Sequence, residues 1–280
     1  MIFNKIGIIT NQTKDSDGKY TKNLIDYLSK KKNVNIYTVK NTRDYYSEED
    51  LYKICDLIIV LGGDGTMLKI APKAAKHNVP VIGINLGRIG FMNEIETDEI
   101  CLLDNIFTGN YKIKSRMMLN VEIIKENGEI LYTGEALNDA VVTHGTLAKL
   151  IEIDVECDGV MITKYRADGV IAATPTGSTA YSMSAGGPII DPYIECFCVT
   201  PICPHSLVNR PMIFSRGSVL DITNRNTNSD VYLTIDGQTN IKLDADSIVR
   251  IKKSDYEAKF IAIKKHGFFD VAREKISENF

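Results

Sequence analysis

The sequence predicts two domains, an α/β N-terminal domain built on a parallel sheet and a mostly antiparallel, all-β C-terminal domain. Two patterns indicate this division. Over about the first 112 residues, β-rich apolar runs alternate with segments of helical periodicity. Beyond them, short β-like runs follow one another and are separated by Gly, Asn and Asp. The length of 280 residues gives room for two ordinary domains.

In the N-terminal part, predicted strands and helices alternate along the chain. The predicted strands are 5–10, 34–39, 57–61 and 81–85, and the predicted helices are 17–32, 50–55, 67–77 and 97–107. Thr66 and Thr97 are the expected N-caps of the last two helices, and Gly109 follows the end of the second one. Repeated βα units with apolar strands imply a parallel sheet that is covered on both faces.

The C-terminal part is predicted to consist almost entirely of strands. They are 119–124, 130–133, 138–143, 150–157, 159–163, 170–173, 195–202, 218–223, 231–235, 248–252 and 258–262. Asn127 and Gly128 indicate a hairpin between the first two. A last helix is predicted over 268–278, and we expect it to pack back on the first domain. The predicted domains are therefore 1–112, rejoined by 263–280, and 113–262.

Composition restricts the possible partners. The 33 basic and 36 acidic residues are mixed along the chain and leave a net charge of -3, so no basic stripe indicates a nucleic-acid or membrane partner. No segment resembles a signal peptide, and no apolar run approaches the length of a membrane span. We therefore expect a soluble, cytoplasmic protein that binds a small molecule.

The six cysteines lack the spacing of a small disulfide-rich domain, so we expect them to be reduced. Cys196, Cys198, Cys203 and His205 are ligand types that zinc accepts. A zinc site is not favoured, because the Cys-x-Cys pair lies in an apolar β-like run and free cysteine is commonly a buried small hydrophobe. No metal site is predicted from these residues.

A glycine-rich loop carries the first chemical signal. Gly62, Gly63, Asp64, Gly65 and Thr66 follow an apolar strand and precede a helix. In this setting backbone N–H groups can approach phosphate oxygens, and the helix N-terminus adds positive potential. A loop that only held phosphate would gain nothing from a carboxylate. Asp64 is therefore expected to face a hydroxyl proton, a metal ion or both.

A second signal lies in two polar segments, residues 164–169 and 174–181, which we expect to form loops. They suit a sugar and an aromatic base: Asp168 for ribose hydroxyls, Arg166 for phosphate and Tyr181 for stacking. Taken alone, the second segment also fits a Ser/Thr-rich turn.

Asn138 and Asp139 form a third polar cluster. Adjacent residues on a strand point to opposite faces, so the pair serves one small ligand only if the backbone turns there. Taken alone, this pair is typical of an ordinary turn.

Together these motifs resemble the NAD kinase family. The shared pattern is the Gly-Gly-Asp-Gly-Thr loop, then Asn-Asp, Asp-Gly, Thr-Pro-Thr-Gly-Ser-Thr-Ala-Tyr and Ala-Gly-Gly-Pro. Segments 85–91, 204–211 and 236–238 also match the family. The resemblance extends from Ile6 to about Phe269. The resemblance implies a Rossmann-like N-terminal domain of kinase type. It also implies that the β-rich domain binds NAD.

The resemblance also implies roles for individual residues. Asp64 matches the catalytic aspartate, and Gly62, Gly63 and Thr66 match the phosphate loop. The residues that match NAD-binding positions are Gly65, Phe91, Asn138, Asp139, Arg166, Asp168, Thr179, Ala180, Tyr181 and His205. The family usually has Asn-Glu where this chain has Asn138 and Asp139. Arg166, Asp168 and His205 match positions shared across subunits, which implies a homodimer or homotetramer.

The implied reaction is phosphoryl transfer from ATP to the 2′-hydroxyl of the adenosine ribose of NAD, which yields NADP. Asp64 would act as base, Asp139 would position the ribose, and a cation such as Arg166 would neutralise charge. Mg²⁺ is expected to arrive on ATP, because the chain shows no dedicated carboxylate cage. Two alternatives remain at this point: a lipid or sugar-phosphate kinase with the same loop, and a non-catalytic NAD-sensing module.

Overall fold

The computed structural model describes residues 3–39, 46–87, 90–145, 150–206, 209–226, 230–264 and 268–277. The motif residues Arg88, Ile89, Leu207 and Val208, as well as Glu278 of the last predicted helix, lie outside the described residues. The chain forms two compact units. The first comprises Met1–Ser115 and Ala258–Phe280, and the second Arg116–Glu257. The sequence predicts the corresponding boundaries after residues 112 and 262, which lie three and five residues from those of the structure.

The first unit contains a parallel sheet and helices. Its elements up to Phe107 are β1 (Lys5–Thr10), α1 (Lys19–Leu28), β2 (Asn35–Thr38), α2 (Glu48–Ile54), β3 (Leu57–Gly62), α3 (Asp64–Lys76), β4 (Val81–Asn85), β5 (Ile95–Glu96), a 3₁₀ helix (Thr97–Leu103) and α4 (Asp104–Phe107). The strands pair in parallel in the order β2-β1-β3-β4-β5. Every residue of β3 and β4 is buried, as expected for strands covered on both faces. The predicted parallel sheet is confirmed.

The predicted start of α3 is wrong. The helix begins at Asp64, three residues before the predicted start, with Gly63 as its N-cap. The Gly63 carbonyl accepts the first helical hydrogen bonds, from the N–H groups of Thr66 (2.9 Å) and Met67 (3.1 Å). Thr66 therefore lies inside the first turn, and its hydroxyl accepts a hydrogen bond from Asn11 Nδ2 (3.1 Å) instead of capping the helix.

Thr97 is also not an N-cap. Glu96 occupies that position, and its backbone N–H donates to Glu99 Oε2 (2.8 Å). The predicted helix 97–107 is a 3₁₀ helix followed by α4. Gly109 has φ +80° just beyond the end of α4, which agrees with its predicted place.

The second unit is built from antiparallel strands. The elements from residue 112 are β6 (Lys112–Ile124), β7 (Ile130–Ala136), β8 (Asp139–His144), β9 (Ile151–Cys157), β10 (Val160–Ala167), β11 (Gly169–Ala173), a 3₁₀ turn (Gly177–Thr179), α5 (Tyr181–Ser184), β12 (Cys196–Ile202), β13 (Met212–Ser215), β14 (Leu220–Asn224), β15 (Val231–Ile235), β16 (Thr239–Leu243) and β17 (Ile248–Ala262). One sheet has the order β13-β12-β11-β8-β15-β16. The predicted antiparallel domain is confirmed.

The largest hydrophobic cluster among the described residues of this unit joins the six-stranded sheet to the other strands of the unit, and two smaller clusters lie beside it. Val142 and Phe197 come from the six-stranded sheet, and Ile153, Ile222 and Ile251 come from β9, β14 and β17. The predicted hairpin at Asn127 and Gly128 connects β6 to β7. The largest cluster includes Ala136 and Ala140, which flank the polar residues Asn138 and Asp139.

Several strand predictions need correction. The strand predicted over 119–124 begins at Lys112. The strand predicted over 159–163 continues to Ala167, so the segment 164–167 lies on β10 and not in a loop. The two strands predicted over 248–252 and 258–262 are one strand, β17. Its polar centre interrupts the apolar pattern, which is why the sequence divided it. The strands β5, β13 and β16 were not predicted from the sequence: β5 has only two residues, and the residues of β13 and of most of β16 are exposed or half-buried.

The last helix, α6 (Phe268–Ser277), belongs to the first unit. The ring of Phe268 lies 6.2 Å from the ring of Phe91. Within the described ranges, none of the helices is long and apolar enough to cross a membrane.

Candidate active site

The glycine-rich loop lies at the carboxyl end of β3, where ligands of open parallel sheets commonly bind. Gly62 has no room for a side chain, because a Cβ there would lie 2.4 Å from Thr66 Oγ1. The hydrogen bond from Asn11 to Thr66 ties this loop to the segment that follows β1. The loop backbone is therefore fixed on both sides. Gly65 lies exposed in the first turn of α3, with open space where a side chain would be.

Asp64 is the first residue of α3 and is half-buried. Its carboxylate accepts hydrogen bonds from the backbone N–H groups of Phe91 (2.8 Å) and Met92 (3.2 Å) and from Asn93 Nδ2 (3.2 Å). An ionised carboxylate has about four acceptor positions, so one remains after these three bonds. Asp64 is thus held in place and keeps one position for a hydroxyl group.

Gly90 is a residue that sequence reasoning did not assign to the site. A Cβ at this position would lie 1.8 Å from Asp64 Oδ1, which no side chain can tolerate without moving the carboxylate or the backbone. Only glycine lets the segment that carries Phe91 approach Asp64 so closely. The sequence contains no local signal for this contact, since the two residues are far apart along the chain.

In the second unit, Asn138 lies in a bend between β7 and β8, and Asp139 begins β8. The bend is held by the buried carboxylate of Asp236. This carboxylate accepts hydrogen bonds from the backbone N–H groups of Leu137 (2.8 Å), Asn138 (2.7 Å) and Asp139 (3.0 Å). The backbone therefore turns at the pair, as a shared ligand requires, and the predicted strand start at Asn138 is wrong by one residue.

The two acids of this bend are strongly perturbed by burial. Asp139 is 5% exposed and Asp236 is 8% exposed. Burial raises the pKa of Asp139 to about 7, and repulsion from Asp236 adds to the rise. Burial also raises the pKa of Asp236, to about 6, while its three backbone hydrogen bonds act in the opposite direction. Three backbone hydrogen bonds thus favour the anion of Asp236, whereas burial and the charge of Asp236 disfavour the anion of Asp139.

Asn138 and Asp139 carry polar groups that lack partners. Asn138 Oδ1 is buried without a hydrogen bond. Asp139 is 5% exposed, and only burial and the charge of Asp236, with no hydrogen bond from the described residues, shift the pKa of its carboxylate. Leaving a buried polar group unpaired costs about 1–3 kcal/mol, so such groups call for an explanation. A polar ligand that supplies hydroxyl and amide groups would satisfy both residues.

The segment 174–181 packs directly on this bend. Thr174 Oγ1 donates to the carbonyl of Leu137 (2.6 Å), and the N–H of Thr174 donates to the carbonyl of Asn138 (2.8 Å). Gly177 lies so close that a Cβ there would be 2.1 Å from the Asn138 carbonyl oxygen. Two clusters that the sequence identified separately are thus parts of one surface.

Tyr181 follows Thr179 and Ala180 and begins α5, with 46% of its surface exposed. Burial raises the pKa of the Tyr181 hydroxyl, and Cys203, Asp168 and Asp139 raise it further by their charges. The ring therefore lies within electrostatic reach of both predicted ribose-binding acids.

Arg166 and His205 are neighbours through the backbone, since the N–H of His205 donates to the carbonyl of Arg166 (2.9 Å). Both residues are exposed. The Asp168 carboxylate lies 3.6 Å from Nε2 of His144, a residue to which sequence reasoning gave no role. Arg166 and His205 are therefore open to a partner or ligand, whereas Asp168 faces His144.

The predicted site residues thus form two groups, one in each unit. Asp64, its loop and Phe91 belong to the first unit, and the other predicted residues belong to the second. Among the described residues, no group of three or more His, Cys, Asp or Glu could hold a metal ion. Cys196 and Cys198 are buried in β12, whereas Cys203 is exposed.

Comparison with known families matches both units. Residues 28–111 match the ATP-NAD kinase N-terminal domain, and residues 137–263 match the ATP-NAD kinase C-terminal domain. The chain belongs to the ATP-NAD kinase family. The resemblance drawn from the motifs is confirmed, and the members of this family are phosphotransferases. Neither a lipid or sugar-phosphate kinase nor a non-catalytic sensing module is supported.

Relatives of the ATP-NAD kinase family match nearly the whole chain. An NAD kinase from Thermoanaerobacter sp. (strain X514) is 40% identical over 281 residues, which cover 98% of this chain and 99% of the relative. An NAD kinase from Geobacter sulfurreducens is 39% identical and covers 81% of this chain and 80% of its own length.

Two solved structures of kinases are also similar. An NAD kinase from Archaeoglobus fulgidus, solved in complex with ATP, has a TM-score of 0.75 and 27% identity and covers 98% of both chains. A yeast NADH kinase, solved in complex with NADH, has a TM-score of 0.84 and 26% identity. It covers 94% of this chain and 84% of its own. The predicted fold class is confirmed by these structures.

Proposed function

We propose that this chain is an NAD kinase that transfers a phosphoryl group from ATP to the 2′-hydroxyl of the adenosine ribose of NAD, forming NADP and ADP. The observation that carries the proposal is the fixed Asp64 carboxylate beside a glycine-rich loop, with one acceptor position left. Relatives of the same family include one solved with ATP and one solved with NADH. Their ligands are the two kinds of substrate that the reaction requires.

The first unit would bind the phosphate groups. Gly63 is the N-cap of α3, and the N-terminus of this helix contributes positive potential where the phosphates would lie. The ribose hydroxyl is a poor nucleophile near neutral pH, so it needs an acceptor for its proton. Asp64 would accept that proton and orient the hydroxyl toward the phosphorus atom.

The second unit would bind the adenosine part of NAD. Asp139 would accept hydrogen bonds from ribose hydroxyls, and Asn138 would meet the edge of the base. Tyr181 would stack on the adenine ring, with Thr179 and Ala180 beside it. The buried, unpaired Asn138 Oδ1 supports these roles, because the ligand would supply the missing hydrogen bond.

We propose Mg²⁺ as the metal of this reaction, bound to the phosphates of ATP. The described residues do not form a cage for the ion, and the Asp64 carboxylate is already engaged by three donors. Mg²⁺ prefers to keep several waters and to bind through phosphate oxygens. It would supply charge neutralisation, and no other step is assigned to it.

We further propose a homodimer or homotetramer in which Arg166, Asp168 and His205 contribute to the site of a neighbouring subunit. Arg166 and His205 are exposed, which leaves them accessible to such a partner. Light scattering of the purified protein tests the assembly, and a monomer at micromolar concentration would contradict it.

The reaction itself is tested with purified protein, NAD and Mg-ATP, with NADP detected by an NADP-specific dehydrogenase. We expect NADP to form only when all three components are present. Diacylglycerol and fructose 6-phosphate serve as competing acceptors. Phosphorylation of either acceptor in place of NAD, or NAD binding without turnover, would contradict the proposed function.

A further inference from the structure

The segment that follows β1 places a lysine beside the glycine-rich loop. A Cβ built on Gly63 would lie 3.1 Å from Lys14 Nζ, and a Cβ on Gly87 would lie 3.2 Å from it. The ammonium group therefore lies against the backbone of two glycines, one of which precedes Asp64. Lys14 also lies before the first residue of the matched family domain, which begins at residue 28.

This lysine is carried by an anchored turn. The Asn11 carbonyl accepts hydrogen bonds from the N–H groups of Lys14 (3.0 Å) and Asp15 (3.1 Å), and the Asn11 side chain donates to Thr66 (3.1 Å). The buried Asp15 carboxylate accepts from the N–H (2.9 Å) and the hydroxyl (2.6 Å) of Thr21 in α1. The backbone of Lys14 is thus fixed between α1 and α3.

The charge of Lys14 is not neutralised by the surrounding residues. Lys31 and Lys73 of the same unit pair with carboxylates, whereas none of the described carboxylates pairs with Lys14, which is exposed. Its surroundings are backbone rather than acid, so the ammonium group is free to meet an anion that approaches the loop.

We propose that Lys14 binds the phosphate groups of ATP at the glycine-rich loop. The inference rests on the proposed function, which brings a triphosphate to this loop next to the negative charge of Asp64. A lysine acts as a point charge toward phosphate, and charge-assisted hydrogen bonds of this kind are about twice as strong as neutral ones. Lys14 thereby offsets the repulsion between Asp64 and the phosphate oxygens.

The test is calorimetric titration of Mg-ATP into the wild type, Lys14→Met, Lys14→Arg and the control Lys22→Met. Lys22 is an exposed lysine of α1 and has no part in the site. We expect Lys14→Met to weaken Mg-ATP binding about tenfold or more, because the charge-assisted hydrogen bond to phosphate is lost. Lys14→Arg is expected to restore most of the affinity, and Lys22→Met to leave it unchanged. NAD affinity should be the same in all four proteins.

The outcomes separate this inference from the proposed function. Unchanged Mg-ATP affinity in Lys14→Met, or no binding of Mg-ATP to the wild type, overturns the role of Lys14. If Lys14→Met loses Mg-ATP affinity but the wild type forms no NADP, the role of Lys14 stands and the proposed function fails. Thermal melting of each variant verifies the fold, which an exposed side chain should not affect.

Discussion

The two acids that we assign to the reaction, Asp64 and Asp139, have opposite surroundings. Asp64 is half-buried and receives three hydrogen bonds from its own unit. Asp139 is 5% exposed, receives none from the described residues, and lies near the charge of Asp236. The first acid is therefore positioned by the protein alone, whereas the second depends on a ligand for its hydrogen bonds. The surroundings of Asp64 suit a base, and those of Asp139 suit a group that binds ribose.

The site residues of the two units also differ in how far along the chain their hydrogen-bond partners lie. Asp64 is held by residues 27 to 29 positions away. Asp236 holds the Asn138 bend across 97 to 99 positions. The first group therefore forms from neighbouring βα segments. The second requires that β8 and β15, which are distant along the chain, have paired.

The largest effect is expected from Asp64→Asn, which tests whether this acid is the base. The amide keeps the size and one acceptor oxygen, but it accepts a proton poorly. We expect turnover to fall about 10²–10⁴-fold, the usual contribution of a positioned base, with unchanged NAD affinity. Because the amide N–H₂ group would face at least one of the three N–H donors, we also expect a loss of about 1–3 kcal/mol in the free energy of unfolding. The exposed Asp26→Asn in α1 serves as the matched control. Near-normal turnover in Asp64→Asn would remove this residue from the role.

Gly90→Ala tests whether the position of Asp64 matters as much as its charge. The new methyl group would meet Asp64 Oδ1 at 1.8 Å, so the carboxylate or the segment after Gly90 must move. A displacement of about 1 Å can cost about 10²-fold in rate, and we expect turnover to fall about 10–100-fold. Gly217→Ala, which meets only Ser215 Oγ at 3.9 Å, is the control. Equal rates for both variants would show that the contact with Gly90 is dispensable.

The Gly90 contact also marks the limit of what the sequence predicts. The glycine-rich loop could be identified because strand, glycines and helix are contiguous and each follows local rules. The start of α3 was predicted three residues too late because Thr66 is a better N-cap by type than Gly63. The contact between Gly90 and Asp64 carries no local signal, because it arises only when β3 and β4 pair side by side.

In the second unit the sequence predicts most of the strands, but it does not predict the hydrogen bonds between residues of different strands. Asn138 and Asp139 alone indicated no more than a turn, and the family resemblance supplied their role. Asp236 belongs to the segment 236–238 that resembles the family. Its hydrogen bonds to the bend connect strands β8 and β15, which pair only in the folded sheet. Positions that depend on such pairing cannot be derived from periodicity.

Asp236→Asn tests whether Asp236 positions the NAD-binding bend. An amide would place an N–H group against one of the three backbone N–H donors. We expect a loss of about 1–3 kcal/mol in the free energy of unfolding. The KM for NAD should rise while kcat changes less. Because the charge of Asp236 raises the pKa of Asp139, the pH dependence of NAD binding should also shift to lower pH.

The exposed Asp255→Asn is the control for this variant. A role confined to stability would lower the melting temperature and leave the pH dependence where it is in the wild type. That outcome would contradict the electrostatic link between Asp236 and Asp139.

Asp139→Asn tests the burial of the second acid through the pH dependence of stability. The folded protein holds the Asp139 proton up to about pH 7, whereas an unfolded aspartate releases it near pH 4. Wild-type stability therefore falls as the pH rises through this window, by at most about 1.4 kcal/mol per pH unit. Urea unfolding without NAD should show little difference between the proteins at pH 4 and a more stable variant at pH 8. A difference that does not change with pH would exclude a raised pKa.

The smallest effect is expected from Tyr181→Ala, which tests the placement of adenine in the second unit. The ring is 46% exposed, so its removal should leave stability nearly unchanged. Aromatic pairs contribute about 0.5–1.5 kcal/mol, and we expect NAD to bind about 2–10-fold more weakly. Tyr181→Phe keeps the ring and should retain the affinity. Turnover at saturating NAD should be unchanged, the reverse of the pattern expected for Asp64→Asn. Unaltered NAD affinity in Tyr181→Ala would mean that adenine binds elsewhere, because loss of a stacked ring must weaken binding.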